Sequence, residues 1–172
     1  MYLRRTLVVC CALALFVAAP VFAAKKEKND AVGSYLFKFI GAPVASGQYV
    51  PGLVTLSSDG TLLSVTGSDE AGPASIFQVK NSSVYGVWVA ARQRVTARAL
   101  YLNFSPVTGE IVGITKLRIE ATFDPDFNTI TGEFFNSVYL CPTAFTCPDP
   151  LSAQPTIPEP AQGRPFTAAR IQ

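Results

Sequence analysis

No histidine occurs among the 172 residues, and only 15% of the chain is charged. The first absence removes the commonest acid–base side chain, so proton transfer would fall to carboxylates or tyrosine, and a zinc site would lack ligands. An excess charge is missing as well. Cleavage after Ala23 would remove Arg4 and Arg5 and no acid, taking 14 basic residues to 12 against 12 acidic ones. A formally neutral mature chain lacks the main electrostatic support for binding phosphates, so no nucleic-acid partner is expected. The apolar run Thr6–Ala19 falls short of the ~20 residues of a membrane-spanning helix and is followed by Pro20. No helical period runs through Tyr85–Tyr139, and no Cys-x-x-Cys pair occurs.

What is present at the start is a three-part targeting layout: Arg4 and Arg5, then an apolar stretch, then Val21-Phe22-Ala23 before a cleavage point. Residues 1–23 are therefore expected to be a secretory signal peptide, with no membrane insertion after cleavage and a secreted or periplasmic product. Residues 24–31 are expected to be a flexible arm, and 32–172 one domain. Cys141 and Cys147 then remain as the cysteines of the mature chain, close together in a proline-bounded loop that would meet an oxidising compartment. They are expected to form a structural disulfide stapling a proline-rich loop over 141–160.

The domain reads as strands. Thr115–Phe123 alternates without a slip, with Leu117, Ile119, Ala121 and Phe123 on one face and Lys116, Arg118, Glu120 and Thr122 on the other. One face meets a core and the other meets water, as in antiparallel sheet. Further strands are expected at Gly33–Ile40, Leu53–Ser57, Thr61–Thr66, Val84–Ala91, Val95–Phe104, Thr129–Leu140 and Gly163–Ile171, with a short one within 74–79. Asp59-Gly60 and Ser105–Gly113 carry hairpin signals. In Val95–Phe104, Leu100, Leu102 and Phe104 share parity with Thr96 and Arg98, which suggests a bulge or an arginine reaching out. Gly86 marks a bend or a close backbone approach beside Trp88.

The fold class expected is all-β: a single antiparallel, up-and-down barrel of about eight strands in which the last strand returns to the first, with an immunoglobulin-like sandwich as the alternative.

Several local patterns resemble sites. Asp124, Asp126 and Asn128 start like a calcium loop, but Thr129 and Phe135 stand where its glycine and glutamate belong. Arg92, Arg94 and Arg98 could gather an anion, although arginines along a strand edge more often protect it from pairing. Asn81-Ser82-Ser83 and Asn103-Phe104-Ser105 match a glycosylation pattern that is frequent by chance. No metal and no cofactor is implied.

Taken in order, Gly33-Ser34-Tyr35, Val54–Thr61, Tyr85-Gly86-Val87-Trp88, Gly109–Gly113, Thr131-Gly132-Glu133-Phe134 and Thr167–Ile171 make the chain resemble a group of secreted bacterial proteins with a small calycin-like barrel. That group is similar to the lipocalins and to the allene oxide cyclase and dirigent barrels. The resemblance implies a barrel with room for a small hydrophobic ligand and no particular chemistry. The candidate lining residues are Tyr35, Phe37, Phe39, Trp88, Tyr101, Leu117, Ile119, Phe123 and Phe134, with Asn136 as a buried amide among them. The expected role is non-enzymatic binding of that ligand. The alternatives are an allene oxide cyclase-like isomerase and a structural or interaction protein of the cell envelope.

Overall fold

Period-two alternation puts one row of side chains on each side of a strand, and here nearly every such row finds an antiparallel neighbour. The structure of the protein, a computed structural model, describes residues 30–39, 50–66 and 80–172. The expected signal segment, most of the expected arm and the expected strand within 74–79 lie outside these residues. Nine strands are described: β1 Gly33–Phe39, β2 Val50–Leu56, β3 Thr61–Thr66, β4 Lys80–Asn81, β5 Val84–Ala91, β6 Arg94–Phe104, β7 Ile111–Phe123, β8 Thr129–Leu140 and β9 Arg164–Arg170.

Eight of them form a ring. Sequential neighbours pair in turn, β6 and β7 join from Arg94↔Thr122 to Phe104↔Ile111, and β9 returns to β1 from Tyr35↔Arg170 to Phe39↔Phe166. The sheet is thus a closed antiparallel barrel, which excludes the two-layer sandwich. The ninth strand, β4, continues the line of β5 after a break at Ser82, whose Oγ accepts a hydrogen bond from Leu102 N at 3.0 Å.

Local chemistry sets the turns. Thr61 N donates to Asp59 Oδ1 at 2.8 Å while Gly60 takes a φ of 95°, which closes the β2–β3 hairpin. Asp124 Oδ1 accepts from Asn128 N and Thr129 N at 2.7 and 3.0 Å, so that oxygen serves the β7–β8 turn. Gly86 marks a close approach: a Cβ there would lie 2.3 Å from Arg98 O and 2.4 Å from Ala99 Cβ.

Two expectations change. The alternation in β6 continues unbroken through Leu102, with the register shift only at Asn103/Phe104, so Leu100, Leu102 and Phe104 stand on the outer side. Because β6 is paired on both flanks, Arg94 and Arg98 protect no edge; Arg94 reaches Glu120 at 3.9 Å across the outer face.

One end of the barrel is plugged. Tyr35, Trp88 and Phe123 are almost wholly buried there; the Tyr35 and Phe123 rings lie 5.7 Å apart, and Phe127 stacks beyond at 5.2 Å from Phe123. Trp88 Nε1 donates to Ser57 O at 3.1 Å, which gives the indole a partner. The expected arm ends sooner than residue 31: Ala31 is fully buried, its carbonyl accepts from the Tyr35 hydroxyl at 2.9 Å, and Arg170 Nη2 donates to Asp30 O and Val32 O at 2.6 Å.

The 141–163 segment lies on the outside of β7 and β8. Cys141 and Cys147 form a disulfide, and the Val138 and Ile157 backbones exchange two 2.9 Å hydrogen bonds, so the segment pairs with β8 beyond the point where β9 begins. Phe135 and Tyr139, pointing outward, are buried.

Candidate functional site

Small side chains at inward positions leave the barrel hollow. Ser64 on β3, Ala97 and Ala99 on β6, Ala121 on β7 and Ala168 on β9 are all buried. A cavity of about 430 Å³ results, within the ~300–1,000 Å³ typical of small-molecule sites. Its deeper wall is apolar, built by Val54, Leu56, Leu62, Val95, Ala97, Ala121 and Ile130. Leu117, Ile119, Phe37, Phe134 and Phe166 surround its middle, and it extends to Leu140, Ile157 and Arg164 at the end away from the plug.

The strand parity of β7 and β8 accounts for much of this. Leu117, Ile119 and Ala121 line the cavity from one inward row, and Phe134, Asn136, Val138 and Leu140 from the next. Of the sequence-derived candidates, Phe37, Tyr101, Leu117, Ile119, Phe134 and Asn136 face the cavity. Tyr35, Trp88 and Phe123 belong instead to the plug, where they wall off one end without contributing to the lining. The Phe39 side chain lies outside what the structure describes.

Polar groups gather in the outer part. Asn103 Nδ2 donates to Thr115 Oγ1 at 2.8 Å, and both residues are buried. Ser64 and Arg164 also line the space, while Asn136 Oδ1 is buried with no hydrogen-bond partner. Ser64, Asn103, Thr115 and Arg164 were not among the sequence candidates. Their signal was parity with Leu62, Tyr101, Leu117 and Phe166, each two residues away. The two asparagines of the glycosylation patterns also turn toward the cavity, and Asn103 is only 6% exposed.

No carboxylate lines the cavity among the described residues; Tyr101 and Arg164 are its titratable side chains. Glu120 points outward, toward Arg118 and Arg94, and Glu110 is exposed in the β6–β7 connection. No group of three or more Cys, Asp or Glu able to hold a metal occurs among the described residues.

A second feature lies on the outer wall. Tyr85, Val87 and Val89 of β5 are 64%, 64% and 62% exposed. Pairing extends this apolar row sideways: Leu63 lies opposite Tyr85, Tyr85 opposite Leu100, and Leu36, Leu53 and Val65 stand in line across β1, β2 and β3. The outward row of β7 is Lys116, Arg118 and Glu120, so the apolar surface is a patch on one side.

Comparison of the chain with protein-family models, with curated proteins and with solved structures finds no match.

Proposed function

We propose that the protein is an exported, non-enzymatic binder of a small apolar molecule held inside the barrel. The observation that carries this reading is the apolar cavity of about 430 Å³, plugged at one end and lined by residues of all nine described strands. Apolar walls give affinity by removing ligand surface from water, at about 25 cal/mol per Å². The Cys141–Cys147 disulfide fits an oxidising compartment, and the targeting layout of residues 1–23 supplies the route. The calycin-like resemblance belongs to the same proposal. An isomerase reading finds less support, because among the described residues the lining offers Tyr101 and no carboxylate for acid–base work.

The test uses the full chain expressed with its own leader and purified from the exported fraction. Native mass spectrometry is expected to detect a copurifying small molecule, and a neutral fluorescent probe such as N-phenylnaphthylamine is expected to bind with one-to-one stoichiometry. A protein that carries nothing and takes up no apolar probe overturns the proposal.

The outer patch favours a second reading, an interaction protein that self-associates. Contiguous exposed apolar surface marks contact sites, and a one-sided patch can be covered by its own copy about a twofold axis. Sedimentation velocity separates the two: a concentration-dependent oligomer abolished by Val87→Lys supports self-association, and a monomer at all concentrations removes it.

A further inference from the structure

Away from the plug, two polar side chains that make no hydrogen bond or ion pair among the described residues line the cavity, Asn136 and Arg164. Asn136 Oδ1 is buried without a hydrogen-bond partner, although buried amides are nearly always paired. Arg164 lines the same cavity and makes no ion pair or hydrogen bond among the described residues. It is the one cation of the lining among the described residues.

The topology brings the two together. Arg164 pairs with Phe134, placing its side chain on the inward face, and Asn136 is the next inward residue along β8. Such diagonal neighbours on one face sit ~7–8 Å apart, within reach of a long side chain. At Asn136 the wall also has a gap: β9 pairing stops at Phe134↔Arg164, and the 141–163 segment takes over only at Val138↔Ile157. Leu117, opposite Asn136 on β7, and Ile119, opposite Phe134, offer only hydrocarbon, and Thr115, the next inward residue of β7, accepts from Asn103 Nδ2 at 2.8 Å.

We infer that the cavity takes an apolar monocarboxylate, its hydrocarbon against Leu117 and Ile119 and its acid group between Arg164 and Asn136. A planar carboxylate matches the fork of a guanidinium, and an amide can complete its remaining hydrogen bonds. The Asn136 amide nitrogen is the end that can donate to a carboxylate, and the Asn136 side chain makes no hydrogen bond among the described residues. One cation balances one negative charge, which favours a monoanion over a phosphate dianion. Arg164 is exposed, so the head group keeps contact with water while the hydrocarbon is dry. This assignment rests on the cavity-binding reading and adds the chemical class of what is bound.

Displacement of N-phenylnaphthylamine from the full exported chain by dodecanoate and by dodecanol tests it. Dodecanoate is expected to bind about fivefold to tenfold more tightly, the yield of a charge-assisted hydrogen bond weakened by solvent exposure. In Arg164→Gln the ratio of the two affinities is expected to fall to near one, and in Asn136→Leu to fall about twofold to threefold. High salt should shrink the preference of the native chain, because the rim is solvated. Equal affinities in the native chain, or a preference that survives Arg164→Gln, overturn the head-group site while leaving the cavity reading in place. Failure of the dye and of both ligands to bind overturns the two together.

Discussion

The guanidinium of Arg118 lies 3.8 Å above the ring centroid of Phe135, on the outer face of the barrel, and also pairs with Glu159 and Glu120. Arg118 of β7 thereby covers an aromatic ring of β8 and holds the 141–163 segment by its acid. The hydrogen bonds that Arg118 donates to Glu159 push its guanidinium above its ordinary value. Arg118→Ala is expected to cost about 1 kcal/mol, from one partly exposed cation–π contact and one solvated ion pair. Glu159→Gln should cost less, because the stacking survives. Urea denaturation gives the total. Faster hydrogen exchange at the Val138 and Ile157 amides, with β1 to β3 unchanged, would show that the loss is local.

The disulfide acts on the same segment. Cys141 and Cys147 are separated by 6 positions, so their bond closes a short loop and stabilises by about 2 kcal/mol in the chain-entropy model. The Cys141→Ser/Cys147→Ser double variant should lose up to that amount and keep its probe affinity within about twofold, since neither cysteine lines the cavity. An intact mass lower by two hydrogens than that of the reduced chain would verify the bond in the exported protein.

The inward row of β7, the Asp59 turn and the cysteine pair were legible in the sequence, because each depends on neighbours a few residues apart; barrel closure, which joins Tyr35 to Arg170, followed from the run of strands and not from any local pattern. Depth along the barrel axis was not. Period two assigns Tyr35, Trp88 and Phe123 to the inner face but does not say whether they meet a ligand or one another; that depends on the stagger between strands. Arg164 escaped for a related reason. Lying between Gly163 and Pro165, it looks like a strand terminus, and only the pairing with Phe134 reveals that it points inward. The outward placement of Leu100 and Leu102 was obscured by the expectation that leucines face a core, when β6 gives its inner positions to alanines and Tyr101.

Gly86 has no room for a side chain. Gly86→Ala would set a methyl 2.3 Å from a carbonyl oxygen and 2.4 Å from Ala99 Cβ, both fixed in the β5–β6 pairing. Neither can move without separating the strands, so a loss of about 2–3 kcal/mol is expected. At Gly109 a Cβ would meet nothing within 4 Å, but φ is 74°, so Gly109→Ala should cost about 1 kcal/mol through backbone strain alone. Thermal unfolding of the two variants would rank them.

Alkaline stability should depend on Tyr35. Burial pushes its hydroxyl above the ordinary value of 10.0, with nearby Arg170 opposing. At pH above about 10 the unfolded chain releases this proton while the folded chain retains it, so stability is full below that pH and falls as pH rises through the folded value. Tyr35→Phe should lose about 1 kcal/mol at neutral pH, since Ala31 O then lacks its partner. It should also flatten the alkaline slope of the denaturation midpoint, and an unchanged slope would assign the effect to other tyrosines.

Whether the barrel interior is empty space or tolerant packing can be read from enlarging a small inward residue. Ala97 and Ala121 are both only 4–5% exposed, on neighbouring strands, and both line the cavity. In a filled core, adding the extra carbons of leucine at either position would force side chains off their rotamers and cost about 1–3 kcal/mol. Against a cavity, the added carbons occupy free volume and gain contacts, so stability should hold or rise by up to about 1 kcal/mol. Ala97→Leu and Ala121→Leu are therefore expected to unfold at the same or higher urea concentration than the native chain. Their affinity for a neutral apolar probe should fall at least about tenfold, the equivalent of about 1.4 kcal/mol. Opposite signs for folding and binding in one variant identify a hollow ligand chamber; a parallel loss of both would mean that the interior is packed.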